Sequence, residues 1–287
     1  MADSTQITGK LTFLGTGTST GVPLIGCDCE VCRSADPRDR RLRCSALIET
    51  QGLRILIDCG PDFRQQALRH HISHLDAVLI THNHFDHLYG LDDVRPLGNM
   101  PVYGDSTVLS TIHAFMPYCF GEHKYPGSAT IELHELHPLE PFTLHISHFT
   151  SHISHLTSHI SLLTSHISHL TSHISHLQVI PLPVVHGRFS ILGYRFGPLA
   201  YITDASALSE EAFAALQGVR TLVINALRMT PHPSHFSLSE SIEAARRIGA
   251  DNTWFIHFSH HIGLHATTEP TLPAGMHMAY DNLQILW

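Results

Sequence analysis

The feature that most constrains this chain is the heptapeptide at residues 81–87, Thr-His-Asn-His-Phe-Asp-His, which directly follows the apolar run 77–80. On extended backbone, His82 and His84 project to the same side, so a strand ending in this motif gathers three imidazoles and a carboxylate. Neutral imidazole nitrogens and carboxylate oxygens are the ligands that Zn²⁺ and Mn²⁺ prefer. The alternative is a surface loop that is merely histidine-rich, in a chain with 27 histidines. The spacing, the embedded Asp86 and the apolar run before it favour a metal site.

Composition limits the class of protein. With 287 residues, the chain can form one large or two small domains. Its 43% hydrophobic and 15% charged residues are typical of a soluble globular protein. A net charge of −8 argues against a broad nucleic-acid surface. The first residues do not resemble a signal peptide, and no apolar stretch approaches the length of a membrane span. We therefore expect a cytoplasmic protein without a membrane partner.

Short apolar runs separated by turn residues recur along the whole chain. They predict strands at residues 11–14, 46–48, 55–57, 77–80, 179–185, 199–202, 222–224 and 253–256. Helices are predicted between some of them, at residues 61–70, 207–216 and 237–249. The last has the strongest signals, because Ser237 and Glu240 form a capping box and Gly249 follows its end. Strands mixed with helices predict layered α/β structure, and no linker divides residues 1–287, so we expect a single domain.

Residues 144–177 break this pattern. They repeat a seven-residue unit about five times, as LHISHFT, SHISHLT, SHISLLT, SHISHLT and SHISHL. The apolar residues keep an unbroken spacing of three and four, which is the stripe of a helix and not the alternation of a strand. Ser, Thr and His are mediocre helix formers, and charged flanking positions are missing. The segment is therefore expected to be marginally helical, paired with itself, or disordered.

The repeat holds nine of the 27 histidines, and this allows two interpretations. One is a module for metal storage or pH sensing. The other is a tandem duplication inserted in a surface loop, where long insertions cost little stability. Because the units are nearly identical, recent duplication explains them better than tuned ligand geometry. We favour an insertion within the domain.

Three further candidate ligands lie far from the heptapeptide. His186 ends the run 179–185, Asp204 follows the run 200–203, and His257 ends the run 253–256. Each alone could be an ordinary polar residue. Together they show a pattern in which strand ends deliver ligands to one rim of a sheet sandwich.

Six cysteines occur, and three of them are clustered at Cys27, Cys29 and Cys32. Thiolates suit a closed tetrahedral zinc site, but three of them leave one ligand to be found. Reduced surface cysteines are the alternative, which is less favoured because exposed neighbouring thiols oxidise readily. The other three lie beside apolar residues and are expected to be small core side chains: Cys44, Cys59 and Cys119.

These motifs resemble the metallo-β-lactamase-fold hydrolases. Within that superfamily the chain is similar to the phosphoribosyl 1,2-cyclic phosphate phosphodiesterase group of the carbon–phosphorus lyase pathway. The resemblance covers nearly the whole chain apart from the repeat. It is carried by residues 14–23, 26–32, 56–60, 81–87, 186, 201–204 and 257–260. It implies an αββα sandwich with two divalent ions, Zn or Mn, in the active site and one structural Zn.

The resemblance also assigns the ligands. One active-site ion would be held by His82, His84 and His186. The other would be held by Asp86, His87 and His257, with Asp204 bridging the pair. His260 would be the fourth ligand of the structural zinc, beside Cys27, Cys29 and Cys32. Asp58 is expected to orient a loop and a ligand instead of binding metal itself.

The expected reaction is hydrolysis of a small phosphodiester, which a cyclic ribose phosphate would fit, by a hydroxide shared between the two ions. Asp86 would ligate metal and orient the hydroxide. His235 matches the catalytic histidine of the family and would be the general acid; a histidine that only flanks the following helix is the alternative. Arg38, Arg40, Arg41 and Arg43 form a basic cluster that a solvated surface explains as well as substrate binding does.

Other functions remain open at this point. The tRNA 3′-processing endonucleases share the fold and motif, but they generally carry a basic arm, whereas this insertion contains no Lys or Arg. A non-hydrolytic relative, such as the accessory protein of pyrroloquinoline quinone biosynthesis, shares the cysteine pattern but commonly degrades the histidine motif. A third class is a metal-binding protein whose functional part is the repeat. Related proteins often pair, so a homodimer is a further expectation.

Overall fold

The computed structural model describes residues 8–121, 124–145 and 176–287. In those residues, two β-sheets pack face to face and helices cover their outer faces. This is the α/β sandwich that the sequence predicts. Fifteen strands are described: β1 Gly9–Gly15, β2 Ser45–Thr50, β3 Leu53–Ile57, β4 Ala77–Leu79, β5 Asn99–Gly104, β6 Thr130–Glu135, β7 Phe142–His145, β8 His176–His186, β9 Phe189–Phe196, β10 Leu199–Ile202, β11 Ala207–Leu208, β12 Thr221–Asn225, β13 Asn252–Ile256, β14 Met276–Met278 and β15 Gln284–Leu286.

The described helices are mostly short. The α-helices are α1 Glu30–Arg33, α2 Phe63–Arg69, α3 Phe85–Leu88, α4 Ser106–Phe115, α5 Glu210–Ala215, α6 Leu238–Ile248 and α7 His265–Thr268. The 3₁₀ turns are Pro37–Asp39, Leu91–Leu97, Pro117–Cys119, His260–Ile262 and Glu269–Thr271.

Each sheet is antiparallel at one side and parallel at the other. The first has the order β15-β1-β2-β3-β4-β5-β6, and its pairs from β3 to β6 are parallel. The second has the order β11-β8-β9-β10-β12-β13-β14, and its pairs from β10 to β14 are parallel. Because parallel neighbours end at the same edge, the residues that follow β4, β10 and β13 lie at one rim of the sandwich.

Apolar side chains fill three layers of core. The central layer joins the two sheets and includes Phe13, Ile55, Tyr194 and Tyr201. One outer layer packs the first sheet against α2 and α4, and the other packs the second sheet against α6. Alternate residues of one strand supply different layers, since successive side chains point to opposite faces. Rigid strands buried on both faces therefore support the rim.

The predicted strands occur with small shifts of their ends. Of the predicted helix 207–216, only Glu210–Ala215 is helical, because Ala207 and Leu208 pair with β8 as strand β11. The run 199–202 is β10 with the same bounds, whereas the predicted helix 61–70 shortens to Phe63–Arg69. The α6 helix begins after Ser237, whose side chain and that of Glu240 form the predicted capping box. It ends at Gly249, which has a φ of 75° and adopts the left-handed conformation that favours glycine.

The two ends of the repeat are strands and not parts of a helical stripe. Leu144 pairs with Leu177 and His145 with His176 in an antiparallel ladder between β7 and β8. Ladder hydrogen bonds to the rest of the sandwich override the weak helix preference of these four residues. Residues 146–175, on which the remaining helical interpretation rests, lie outside the described residues. The single domain over 1–287 and the inserted repeat at 144–177 stay predictions.

The basic cluster is not uniformly solvated. Arg41 is buried, and its guanidinium donates hydrogen bonds to Thr16 Oγ1 at 2.9 Å and to the Ala279 carbonyl at 2.7 Å. It also lies 4.5 Å from the ring centroid of Phe258. Arg41 thus holds the loop after β1 against the loop after β13. No helix in the part of the chain that the structure describes combines the length and apolar character needed to span a bilayer.

Candidate metal centre

The predicted ligands converge at one rim of the sandwich. The heptapeptide follows β4, His186 ends β8, Asp204 follows β10, and His257 follows β13. Two bonds between the sheets fix this edge: Tyr194 donates its hydroxyl to the Ile80 carbonyl at 2.6 Å, and the Leu192 amide donates to Thr81 at 3.0 Å. The rim is therefore a structured end of the core.

Two sets of ligand atoms can be distinguished. In the first, His82, His84 and His186 each offer a nitrogen, and these atoms lie within 4.8 Å of one another. In the second, one atom each of Asp86, His87 and His257 lies within the same distance. These are the two groups that the resemblance implies.

Asp204 lies between the two sets. Its Oδ1 is 3.1 Å from His257 Nε2, and its Oδ2 is 3.3 Å from His87 Nε2. One of its oxygens also falls within 4.8 Å of ligand nitrogens of His82 and His87. A carboxylate has two oxygens with four lone-pair sites, so this one can serve both sets at once.

Hydrogen bonds from Nδ1 orient three of the imidazoles. His87 Nδ1 donates to Asp58 Oδ2 at 2.7 Å, and His186 Nδ1 donates to the Ser234 carbonyl at 2.7 Å. His82 Nδ1 lies 3.0 Å from the hydroxyl of Thr81, which itself donates to Asp58. With Nδ1 as the donor, the lone pair is on Nε2, the nitrogen that faces the centre. Asp58 therefore has the orienting position that the sequence predicts.

Several buried nitrogens at the rim have no hydrogen-bond partner within the described chain. They are Nε2 of His82, Nε2 of His87 and both nitrogens of His257. His87 Nε2 is 3.0 Å from Asp86 Oδ2, yet this approach lacks hydrogen-bond geometry. Unpaired polar atoms are costly in a protein interior. Converging lone pairs of imidazoles and carboxylates are the donor set that divalent cations satisfy, so these residues fit metal ions.

The electrostatics of the rim favour added positive charge. Burial lowers the pKa of His82 well below its usual range, which keeps that imidazole neutral. Burial also opposes protonation of His87, but Asp86, Asp204 and Asp58 together raise its pKa well above the ordinary value. Burial would raise the pKa of Asp204, but His257 and His87 bring it well below the usual range. Ionised carboxylates that stabilise a proton on His87 can stabilise a metal ion in its place.

Three residues of the rim adopt left-handed backbone that is unusual outside glycine. The φ values are 59° for Asp58, 57° for Asp204 and 61° for His257. Such conformations cost about 1–3 kcal/mol each and persist where surrounding structure imposes them. Here they follow β3, β10 and β13, at the points where the chain turns to direct a side chain into the centre. Three of the seven non-glycine residues with positive φ in the described chain thus lie at the candidate site.

The cysteine cluster forms a second, separate group. His260 Nδ1 lies 3.3 Å from the Sγ atoms of both Cys27 and Cys29, and 3.6 Å from that of Cys32. The four ligand atoms lie within 4.8 Å of one another, as the chemistry of a tetrahedral zinc site requires. The other three cysteines are buried among apolar residues: Cys44, Cys59 and Cys119.

Cys29 provides a chemical test of this cluster. Its exposed thiol has a pKa lowered to about 6 by the Cys32 amide and by His260, whereas burial raises the pKa of Cys32 to about 11. In metal-free protein at pH 7, we expect iodoacetamide to alkylate Cys29 first, and about tenfold more slowly at pH 5, because the thiolate is the reactive form. Mass spectrometry of peptides measures the order. Equal labelling of Cys29 with and without Zn²⁺ would contradict a zinc site.

His235 lies at the edge of the centre. Its Nε2 is 3.0 Å from Asp204 Oδ1, and its Nδ1 is 3.2 Å from His232 Nδ1. Burial lowers its pKa, although Asp204 opposes the shift. The sequence prediction did not include His232, whose signal is the spacing His-Pro-Ser-His at 232–235. His186, Asp204 and His235 also form a possible set of ligands, so geometry alone allows His235 to bind metal.

The fold and the rim together define a protein of the metallo-β-lactamase type. A family model for the β-lactamase superfamily domain matches residues 53–258, and the chain therefore belongs to this superfamily. More specifically, it resembles a diphosphatase of the PhnP family. The crystal structure of that protein shares 38% sequence identity, covers 98% of this chain and 97% of its own, and superposes with a TM-score of 0.80.

Another relative has a different name. An octanoyltransferase from Porphyromonas gingivalis is 41% identical over 279 residues, which is 96% of this chain. The chain spans 51% of the length of that protein. Zn²⁺-bound PqqB from Methylobacterium extorquens, at 17% identity and a TM-score of 0.68, shares the fold; it covers 96% of this chain and 99% of its own.

Proposed function

We propose that this protein is a metal-dependent phosphodiesterase that hydrolyses a small phosphodiester, with a cyclic ribose phosphate as one candidate. The observation that carries the proposal is the position of Asp204 between two sets of ligand atoms. Two adjacent cation sites joined by one carboxylate suit attack on phosphorus, which needs charge neutralisation at both the entering and the leaving oxygen. The likeness to a diphosphatase supports phosphorus chemistry.

His82, His84 and His186 would hold one ion, and Asp86, His87 and His257 would hold the other. Their mixed nitrogen and oxygen donors suit Zn²⁺ or Mn²⁺, whereas the cysteine cluster suits Zn²⁺. When bound, the paired ions would lower the pKa of water and polarise the phosphoryl oxygens.

The chain supplies the geometry of the reaction. Asp86 is buried, and its Oδ2 faces both His87 and His257, so this carboxylate can also orient a water molecule by accepting a hydrogen bond from it. Asp58 fixes the ring of His87 through a fully buried hydrogen bond. The oriented rings and the fixed carboxylates are arranged before substrate binds, so little reorganisation is needed during the reaction.

His235 is the proposed general acid for the leaving oxygen. The hydrogen bond between His235 Nε2 and Asp204 Oδ1 orients the imidazole ring beside the metal centre. We expect His235→Ala to lower kcat by about 10²–10⁴-fold on a diester with an alkoxide leaving group, which needs a proton. A p-nitrophenolate leaving group departs without one, so the loss should be much smaller on its diester. Near wild-type kcat on the alkoxide substrate would contradict the assignment, and loss of active-site metal would identify His235 as a ligand.

Activity measurements on a small panel test the function. Purified protein loaded with Mn²⁺ or Zn²⁺ is assayed on a cyclic ribose phosphate, a linear aryl phosphodiester, precursor tRNA and an octanoyl donor. We expect metal-dependent cleavage of the small diesters. Processing of precursor tRNA alone would favour the endonuclease, and octanoyl transfer alone would favour the activity named for the Porphyromonas relative. With no reaction at all, a non-hydrolytic role would be the better interpretation.

The repeat can be tested separately. His145 and His176 face each other across the ladder, so an Asn-Gly turn can replace residues 146–175 without breaking the pairing of β7 with β8. We expect hydrolysis and tightly bound metal to stay unchanged, as measured by kcat/KM and by elemental analysis. Loss of most bound metal would instead favour a metal-binding protein whose functional part is the repeat. The homodimer and the cytoplasmic location remain predictions.

A further inference from the structure

Two large aromatic side chains are exposed beside the candidate metal centre. Phe85, which lies between His84 and Asp86 in the heptapeptide, is 59% exposed, and Phe189, the first residue of β9, is 63% exposed. The ring of Phe189 stands edge-on to the ring of His84, with centroids 5.9 Å apart and an interplanar angle of 83°. We refer to Phe85 and Phe189 as the aromatic rim. Exposed apolar surface beside a polar site is typical of ligand binding.

The aromatic rim is held in place by other rings. Phe85 stacks on Tyr89 at 4.8 Å and 25°, and Tyr89 stacks on Phe115 at 4.5 Å and 19°. This column supports Phe85 from one side and reduces the conformational entropy that the ring would lose on binding a ligand. Phe189 has its support from His84. Both rings are therefore preorganised although more than half of each side chain faces solvent.

We propose that the aromatic rim binds a planar aromatic group of the substrate, such as a nucleobase, while the phosphodiester lies at the metal centre. This inference rests on the proposed function and narrows it to a class of substrate. Exposed aromatic rings bind nucleobases by stacking. Stacking does not depend on which base is present, because every base has a π-face. A bare cyclic sugar phosphate offers no such face and would leave both rings in water.

The position of the aromatic rim beside the candidate ligands favours a substrate over a protein partner as its occupant. Phe85 is covalently next to two candidate ligands, His84 and Asp86, and the ring of Phe189 contacts the ring of His84. His84 is only half-buried, so the aromatic rim borders the solvent-exposed side of the metal centre. A macromolecule seated on Phe189 would also cover His84 and the approach to the reacting atoms. A substrate that stacks there reaches the centre directly.

A matched pair of esters tests the proposal. The methyl ester of AMP and the methyl ester of ribose 5-phosphate have the same reacting group and differ only in the base. We expect wild-type protein to prefer the AMP ester in kcat/KM, and Phe189→Ala and Phe85→Leu each to reduce that preference about tenfold, as expected for loss of one stacking ring. Phe189→Tyr keeps the planar face and should retain the preference. Leu286→Ala is the control. Leu286 is 83% exposed and pairs with Lys10 near the start of β1, whereas the end of β1 leads to the metal centre.

Direct binding makes the result independent of turnover. Calorimetry with metal-loaded protein compares AMP with ribose 5-phosphate, and we expect Phe189→Ala to weaken only AMP, by about tenfold. If neither ester is hydrolysed but Phe189→Ala still weakens the binding of AMP, the proposed function fails, whereas base binding by the aromatic rim is supported. If the esters are hydrolysed but the preference is equal in wild type and variants, this inference is wrong. A change of oligomeric state in the variants with an unchanged preference would likewise overturn it and identify the rim as an interface.

Discussion

Replacing Asp204 by Asn should abolish nearly all hydrolysis, lowering kcat/KM by at least about 10³-fold, which corresponds to about 4 kcal/mol of lost transition-state stabilisation. The substitution keeps the size of the side chain but removes the charge that lies between His87, His257 and His235. An amide can offer only one oxygen, so it cannot serve both sets of ligands. We expect the active site to retain at most one tightly bound ion.

Metal analysis and kinetics on the same preparation check this result. The cysteine cluster is an internal control, because its four ligands do not include Asp204 and its zinc should remain. Asp251→Asn is the matched variant, since that carboxylate is exposed and pairs with Arg220 on the surface. It should leave both metal content and kcat/KM unchanged. Two retained active-site ions together with wild-type kcat/KM in Asp204→Asn would disprove the shared-carboxylate account of the centre.

Gly60→Ala should destabilise the protein by about 3 kcal/mol or more and also displace the metal motif. A Cβ atom at Gly60 would lie 1.8 Å from the Asp86 carbonyl oxygen, which is backbone and cannot turn aside. The two segments are already tied together, because the Cys59 amide donates to the His87 carbonyl at 2.7 Å. Relief of the clash must therefore move either the turn after β3 or the ligands themselves.

Thermal unfolding and metal content together separate this effect from an ordinary glycine substitution. Gly249→Ala is the control, since Gly249 caps α6 at a φ of 75° with open space around it. It should cost about 1 kcal/mol from left-handed backbone strain and leave activity intact. Gly60→Ala should show a much lower Tm and reduced active-site metal even below its Tm. Equal effects of the two substitutions would show that close packing at Gly60 does not hold the motif.

Much of the candidate site could be predicted from sequence because each ligand directly follows an apolar run. His186, Asp204 and His257 are each isolated in the sequence, and their shared position after a buried strand is a local signal. The structure brings all three to the heptapeptide, as that signal suggested. The α6 helix could also be predicted from sequence, since its capping box and its final glycine lie within thirteen residues, 237–249.

Other features depend on contacts between distant segments and left no local pattern. Arg41 sits in a basic cluster that resembles solvated surface, yet it is buried beneath Phe258 because the loops after β1 and β13 close over it. The ends of the repeat follow a helical spacing, but pairing of β7 with β8 makes them strands. The exposure of Phe85 and its support by Tyr89 likewise follow from how α3 packs.

The sequence by itself determined the kinds of ligand, the strands that carry them and the class of fold, because alternation of side chains and helix capping are short-range effects. Only the tertiary structure decided which imidazole nitrogen faces the centre and which aromatic rings border it. Those outcomes require parallel strands from two sheets to end at one rim, and Asp58 and Asp204 to be bent into left-handed backbone there. Long-range packing imposes that strain, so no stretch of sequence could show it.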